Sequence, residues 1–256
     1  MKFTAGKFPI VKKQNIAKNI YDFTILCPDV VKIAKPGQFV HIKADGFMLR
    51  RPISICKIDK EKGTLRIVFE IRGDGTDKIA SLNVGENIDM IAPLGNGFTM
   101  LDKSKTVVCI GGGIGVPPML EVASHYGENG IAITGFRSIV NAILTDDFKN
   151  QQNEVVVCTD DGSMGQKGLV TAPLEQILKT KKIDMICACG PTPMLKGIAK
   201  LADQYNVPCE ISLEERMACG VGACLGCACK IIKDGVEYNK HVCTDGPVFN
   251  SKEVVL

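Results

Sequence analysis

Short apolar runs separated by turn residues occupy the first hundred positions of the chain. The clearest runs span residues 39–43, 65–71 and 87–92. Turn signals flank them at Lys35-Pro36-Gly37, Lys62-Gly63 and Gly73-Asp74-Gly75. Short strands with regularly spaced turns are typical of closed antiparallel sheets. The pattern therefore predicts an antiparallel β-barrel over residues 1–101.

After residue 102 the pattern changes to an alternation of β-rich runs and runs with helical spacing. Strands are predicted at residues 106–110, 131–134, 154–158, 184–188 and 208–212, and helices at 117–126, 171–180 and 193–204. Such alternation is typical of a mostly parallel sheet covered by helices. An α/β nucleotide-binding domain is therefore predicted over residues 102–212.

The remaining segment, residues 213–256, is rich in cysteine and glycine. It is too short to form a hydrophobic core of its own, so something other than apolar burial must organise it. The predicted fold class is therefore a multi-domain chain with a β-barrel, an α/β parallel-sheet domain and a small C-terminal cysteine-rich domain.

Composition narrows the classes of function. The chain has 256 residues, and its 31 Lys and Arg nearly balance its 28 Asp and Glu. It therefore lacks the broad basic field that favours nucleic acid or anionic lipid as a partner. We find no apolar stretch of the roughly 18 residues that a membrane span needs, and residues 1–10 lack the apolar segment of a secretory signal. We expect a cytoplasmic protein.

Five of the twelve cysteines crowd the C-terminal quarter: Cys219, Cys224, Cys227, Cys229 and Cys243. In a reducing compartment such a cluster more often binds metal or iron-sulfur than forms disulfides. Cys219-x4-Cys224-x2-Cys227, followed by a distant Cys243, agrees with the plant-type [2Fe-2S] pattern. Zinc is the rival occupant, although structural zinc sites favour two separated short knuckles. The spacing selects Cys227 over Cys229 as the third ligand.

A glycine-rich loop lies between a predicted strand and a predicted helix. In Gly111 to Pro118, Gly111, Gly113 and Gly115 leave bare backbone where a pyrophosphate can approach a helix N-terminus. The loop departs from the G-x-G-x-x-G pattern because Pro118 stands where the third glycine is expected, and a tight turn without a ligand is the alternative interpretation.

Two further loops follow predicted strands of the same domain, at the sheet edge where ligands bind. Cys189-Gly190-Pro191 begins a helix and is placed to face a nicotinamide. Arg137 is placed to meet an adenosine ribose or its 2′-phosphate, so the choice between NADH and NADPH stays open. Either loop could instead be an ordinary surface loop.

The barrel region carries two weaker motifs. In Arg51-Pro52-Ile53-Ser54, a planar guanidinium can pair with a phosphate and a hydroxyl can meet a ring nitrogen. Gly75-Thr76 offers amides and a hydroxyl for a second anion site. A surface Arg-Pro pair and an ordinary turn are the alternatives. His41, His125 and His241 stand alone and are expected to be structural, and we predict no catalytic acid or base in this chain.

Together these motifs resemble the ferredoxin reductase family of flavoproteins over about the first 210 residues. With the cysteine segment added, the whole chain is similar to the electron-transfer subunits of B-type dihydroorotate dehydrogenases. The resemblance implies FAD, NAD(H) and one [2Fe-2S] cluster. It assigns FAD to Arg51, Pro52, Ile53 and Ser54, to Val68, Phe69 and Glu70, and to Gly75 and Thr76, and it assigns the cluster to Cys219, Cys224, Cys227 and Cys243. Glu70 is a departure from the flavin-side contact expected of the family.

The resemblance also implies a partner. It is an FMN-containing catalytic subunit that oxidises dihydroorotate to orotate in pyrimidine biosynthesis, and two copies of each chain assemble, with NAD+ as the final acceptor. Two other functions stay open. One is the small subunit of an NADPH-dependent ferredoxin reductase or sulfide dehydrogenase, in which an acid is expected in place of Cys219. The other is a zinc-stabilised nucleotide-binding module without turnover.

Overall fold

The N-terminal part of the chain is a closed six-stranded barrel in the computed structural model, which describes residues 3–256. Its strands are β1 (Thr4–Ala17), β2 (Ile20–Leu26), β3 (Phe39–Ile42), β4 (Arg51–Asp59), β5 (Thr64–Glu70) and β6 (Asn87–Leu94). They pair in the order β1-β2-β5-β4-β3-β6, and every pair is antiparallel. The predicted barrel is confirmed; residues 1 and 2 of the predicted unit lie outside the described residues.

Two short helices, α1 (Pro28–Val31) and α2 (Asp74–Ala80), join strands of the barrel. Gly73-Asp74-Gly75 was expected to be a plain turn, but it opens α2. The reason is local: the Thr76 hydroxyl accepts hydrogen bonds from the backbone N–H groups of Arg72 at 2.9 Å and Gly73 at 3.2 Å. These bonds satisfy donors at a helix start, which converts the turn into a helix N-terminus.

The second part is a seven-stranded sheet covered by helices. Its strands are β7 (Val107–Gly112), β8 (Gly130–Phe136), β9 (Glu154–Thr159), β10 (Gln166–Lys167), β11 (Met185–Cys189), β12 (Cys209–Ser212) and β15 (Val248–Asn250). The helices are α3 (Pro117–Tyr126), α4 (Thr145–Asn150), α5 (Thr171–Thr180) and α6 (Thr192–Gln204). The strand order is β10-β9-β8-β7-β11-β12-β15, and all pairs are parallel except β12 with β15. The predicted α/β parallel sheet is confirmed.

The C-terminal segment depends on the other two parts for its packing. A hairpin of β13 (Ala228–Lys233) and β14 (Val236–His241) exposes most of its side chains, and β15 completes the nucleotide sheet. Cys227 and Cys243 pack against Phe39 and Leu94 of the barrel. The segment therefore has no separate core, as its length predicted, and the boundaries at 101/102 and 212/213 stay predictions.

Polar bonds join the barrel to the nucleotide sheet. Lys57 on β4 donates hydrogen bonds to Ser124 Oγ and Gln151 Oε1, both at 2.9 Å. Arg66 on β5 pairs with the buried Asp22 at 2.8 Å and also contacts Asp147 at the start of α4. These bonds hold the two parts at one relative angle. In the described part of the chain, no helix has the length and apolar character required to traverse a bilayer.

Candidate cofactor-binding sites

The first cavity, of about 540 Å³, lies where the barrel meets the other two parts of the chain. Its wall contains every residue that the family resemblance assigns to FAD: Arg51, Pro52, Ile53, Ser54, Val68, Phe69, Glu70, Gly75 and Thr76. Strands β4 and β5 and the start of α2 supply these residues. Segments more than twenty positions apart thus meet around one cavity, whose mixed apolar and polar lining suits a cofactor. We call it the flavin cavity.

Arg51 lies directly against the start of α2. A Cβ added to Gly75 would come within 2.2–2.4 Å of three guanidinium atoms, so only a glycine admits this contact. The guanidinium also lies over the Phe47 ring, 5.3 Å from its centroid. This arrangement presents a planar cation beside a helix N-terminus, which is suited to phosphate. The Thr76 hydroxyl is occupied with the loop backbone, so Thr76 acts by shaping the loop.

The second cavity, of about 690 Å³, lies at the carboxyl ends of the parallel strands. Gly113, Gly115, Gly190 and Pro191 line it, as does Arg137. This is the sheet edge where nucleotides bind in open α/β folds. We call it the nucleotide cavity.

The structure places the other two nucleotide-site residues differently. Gly111 lines neither cavity; a Cβ there would lie 2.5 Å from Val116 Cα, so Gly111 permits the loop to fold back on its strand. Cys189 lines the flavin cavity, on the other side of its loop from Gly190. A Cβ on Gly115 would lie 2.4 Å from the Cys189 carbonyl oxygen, so the two glycine loops touch through backbone.

The two cavities adjoin. Ile114, Glu70, Arg72 and Glu214 line both of them. Arg72 pairs with Glu70 at 3.0 Å and with Glu214 at 3.8 Å, so a short chain of charges lies at the junction. A ligand in one cavity therefore lies next to a ligand in the other.

The four predicted cluster ligands form two pairs. The backbone N–H of Cys224 donates a hydrogen bond to Cys219 Sγ at 3.3 Å, and the backbone N–H of Cys243 donates one to Cys227 Sγ at 3.4 Å. Across residues 3–256, no three His, Cys, Asp or Glu side chains converge as ligands of a single metal ion. Two thiol pairs suit two irons bridged by sulfide, whereas a lone zinc needs four ligands around one point. The donor set therefore fits a [2Fe-2S] cluster.

The backbone prepares one of these thiols for metal binding. Cys219 Sγ accepts hydrogen bonds from the N–H groups of Val221, Ala223 and Cys224, at 3.4, 3.2 and 3.3 Å. Burial raises the pKa of the Cys219 thiol, but these donors outweigh it and lower the pKa to about 7. Thiolates bind metal, so this environment prepares Cys219 to act as a ligand.

The environment of the buried pair, Cys227 and Cys243, favours the protonated thiol. Burial, followed by the neighbouring Cys227, raises the pKa of Cys243 to about 12. This thiol ionises only when a cation replaces its proton, which is what cluster binding provides. Cys229 lies on β13, and burial, with Glu215 and Cys227 nearby, raises its pKa to about 11. Its exclusion from the ligand set stays a prediction.

Apolar side chains separate the flavin cavity from the cysteines. Phe39 and Met217 line the flavin cavity and also belong to the hydrophobic cluster that contains Cys227 and Cys243. One layer of side chains thus lies between the two sites.

Sequence reasoning missed several residues that shape the sites: Phe39, Phe47, Arg72, Glu214 and Met217. Two of them had a local signal. Arg72 lies three positions before Gly75, and Phe47 opens an apolar triplet just before Arg50. The other three reach the site only through packing of distant segments.

Known proteins resemble this chain over its whole length. Residues 214–255 match the iron-sulfur cluster binding domain of dihydroorotate dehydrogenase B. The electron transfer subunit of dihydroorotate dehydrogenase B (NAD(+)) from Shouchella clausii is 39% identical and covers 100% of both chains. The protein of the same name from Caldanaerobacter subterraneus is 40% identical and covers 98% of each.

Solved structures share the fold. That of an NADH-dependent reduced ferredoxin-NADP oxidoreductase, studied for flavin-based electron bifurcation, has a TM-score of 0.86 and 33% identity, covering 98% of this chain and 90% of that one. The ferredoxin reductase in carbazole 1,9a-dioxygenase has a TM-score of 0.70 at 19% identity, covering 81% and 68%. The second likeness concerns fold alone.

Proposed function

Because this chain belongs to the family of electron transfer subunits of dihydroorotate dehydrogenase B, we propose that it carries electrons from a catalytic subunit to NAD+. Its cofactors are FAD, a [2Fe-2S] cluster and NAD(H). An iron-sulfur cluster exchanges single electrons, a nicotinamide exchanges hydride, and a flavin does both. The flavin must therefore lie between the cluster and the nicotinamide.

One observation carries this proposal: the flavin cavity borders both other sites. Ile114 and Arg72 belong to its boundary with the nucleotide cavity, and Phe39 and Met217 belong to its boundary with the cysteines. The chain's contribution is to hold three groups in order and close together.

The roles of the barrel residues follow from their positions. We assign the phosphate end of FAD to the Arg51 guanidinium and the Gly75 backbone. Pro52, Ile53, Ser54, Val68, Phe69 and Glu70 line the remainder of the flavin cavity and would hold the ring system.

The nucleotide and cluster sites are assigned in the same way. Gly113, Gly115, Gly190 and Pro191 would hold NAD(H), with Gly111 and Cys189 shaping the two loops. Cys219, Cys224, Cys227 and Cys243 would hold the cluster. We predict no general acid or base in this chain; its residues would bind and orient the three groups.

The electron donor lies outside this chain. We propose an FMN-containing dihydroorotate dehydrogenase catalytic subunit, assembled two plus two with this chain in the cytoplasm. Cys224 is exposed, and the adjacent Leu225 is 59% exposed, so the loop that carries Cys219, Cys224 and Cys227 reaches the surface where a partner can approach.

Anaerobic purification tests the cofactor assignment. We expect one flavin, about two irons and about two acid-labile sulfides per chain, with the flavin bleached by NADH. Colourless protein holding one zinc would refute the electron-transfer proposal in favour of a nucleotide-binding module.

Reconstitution tests the proposed partner and the direction of electron flow. The loaded chain, mixed with the FMN subunit, should reduce NAD+ when dihydroorotate is added, and each protein alone should not. The resemblance to the ferredoxin-NADP oxidoreductase supports a second function. Reduction of ferredoxin by NADPH, without activity on dihydroorotate, would favour that function; the cysteine at position 219 argues against it.

A further inference from the structure

A buried histidine lies between the flavin cavity and the cluster loop, which we define as residues 217–227. His41 is on β3, and its side chain has no exposed surface. Neither of its ring nitrogens has a hydrogen-bond partner within residues 3–256. Buried polar groups are nearly always paired in native proteins, so an unpaired imidazole requires an explanation.

The strand pairing places His41 beside residues that line the flavin cavity. On β4, Pro52 lies directly opposite His41, and Pro52 lines the flavin cavity. Phe39, two positions earlier on β3, shares the same face of the sheet and also lines that cavity. His41 therefore belongs to the wall between the barrel and the cysteine segment.

On its other side the imidazole meets the cluster loop. A Cβ added to Gly220 would lie 2.4 Å from His41 Nδ1, and Gly220 has a φ of +74° that disfavours any other residue. The backbone groups of Cys219 and Arg50 face the ring. The histidine thus abuts the peptide that follows the first proposed ligand.

That peptide governs the hydrogen bonds to the ligand sulfur. The chain turns at Gly220, and the turn aims the N–H groups of Val221, Ala223 and Cys224 at Cys219 Sγ. Such donors stabilise the added negative charge of a reduced cluster and so raise its reduction potential. A change in the orientation of this peptide would change all three bonds together.

We propose that His41 is a positioning residue for the cluster: in the loaded protein its Nδ1–H donates to the Cys219 carbonyl a hydrogen bond that the ring does not make in this structure, and this bond holds the Cys219–Gly220 peptide in the orientation that aims three N–H groups at Cys219 Sγ. The proposal rests on the proposed cluster ligation. It assigns to the barrel a direct influence on the redox properties of the C-terminal segment.

The test compares three variants of the full, loaded chain. His41→Phe keeps a flat ring but removes the hydrogen bond, whereas His41→Asn retains a donor near the position of Nδ1. His125→Phe is the matched control, because His125 is a partly buried histidine away from the cysteines: it meets the Leu101 carbonyl at 3.1 Å and packs edge-on against the Tyr126 ring. The readout is the cluster midpoint potential from an EPR-monitored titration, with the flavin potential of the same sample as internal reference.

We expect His41→Phe to shift the reduction equilibrium of the cluster about tenfold toward the oxidised form, which is about 59 mV for one electron. His41→Asn should recover most of this shift, and the His125→Phe variant and the flavin potential should not move. Equal potentials in wild type and His41→Phe would overturn the proposal. Equal shifts in His41→Phe and His41→Asn would also overturn it, because the loss of the imidazole's shape alone would then explain the effect.

Cluster retention provides a second readout if the His41→Phe variant loads poorly. Under a chelator, His41→Phe that keeps its flavin should lose iron several-fold faster than His41→Asn, which supports the proposal; equal rates of loss in these two variants refute it. Wild-type protein that binds no cluster would instead refute the proposed function, so the two failures are distinguishable.

Discussion

Replacement of Gly75 by alanine separates the binding of the flavin phosphates from the stability of the barrel. Gly75 lies within α2, at a helical conformation that alanine adopts readily. The new Cβ would overlap the Arg51 guanidinium, with Nη2 only 2.2 Å away. Because that group is the end of a flexible side chain, it can move aside without disturbing the backbone. The expected consequence is displacement of Arg51 from the phosphate position.

The size of the effect follows from the interactions involved. A hydrogen bond to a charged group contributes about 1.5–3 kcal/mol. Its loss weakens FAD binding by about 10- to 150-fold, at 1.4 kcal/mol for each factor of ten. Stability of the flavin-free protein should stay the same or rise, because alanine exceeds glycine in helix propensity by up to about 1 kcal/mol.

The assay is fluorescence titration of flavin-free protein with FAD, together with urea unfolding of the same preparation. Lys78→Ala is the control, because Lys78 is an exposed residue of the same helix that lines neither cavity. An FAD affinity of Gly75→Ala within twofold of wild type would refute the assignment of Arg51 to the phosphates. A large loss of stability would refute the claim that only the side chain moves.

Three further predictions concern the ligands and the contacts between the parts. Cys224→Ser should abolish the visible absorption of the cluster and Cys229→Ser should keep it; the reverse result would overturn the ligand assignment. Burial raises the pKa of Glu121 above its ordinary 4.5, so its contribution to folding is favourable below that value and is lost as pH rises through the folded pKa. Glu121→Gln should accordingly match wild type in urea unfolding at pH 4 and exceed it at pH 7, and a less stable variant at pH 7 would contradict this reasoning. Arg66→Met leaves the carboxylate of Asp22, which is 3% exposed, without its cation, and should lower the unfolding free energy by about 3 kcal/mol, measured by urea titration; a loss below about 1 kcal/mol would contradict it.

Local sequence patterns were enough to predict the architecture of this protein. Helices α3 and α5 have the predicted bounds, and the predicted strands of the nucleotide sheet lie within a few positions of the observed ones. These predictions succeed because apolar periodicity reports directly which face of a local backbone is buried. The cysteine spacing is equally local, since one short loop supplies three of the four ligands.

Other features leave no mark in the apolar periodicity. The start of α2 reads as a turn because its capping hydroxyl, from Thr76, acts through two specific backbone bonds. The place of β15 in the nucleotide sheet is also hidden, because a three-residue strand has no periodicity to detect.

The order of residues along the chain defines the parts of this protein and the chemistry that each part offers. The three sites adjoin only because the parts pack together in three dimensions. Arg72 and Glu214 lie at one boundary of the flavin cavity, and Phe39 and Met217 lie at the other. Residues so far apart along the chain meet because whole surfaces pack against each other. The sequence pattern of one segment does not reveal which surface of another segment will pack against it.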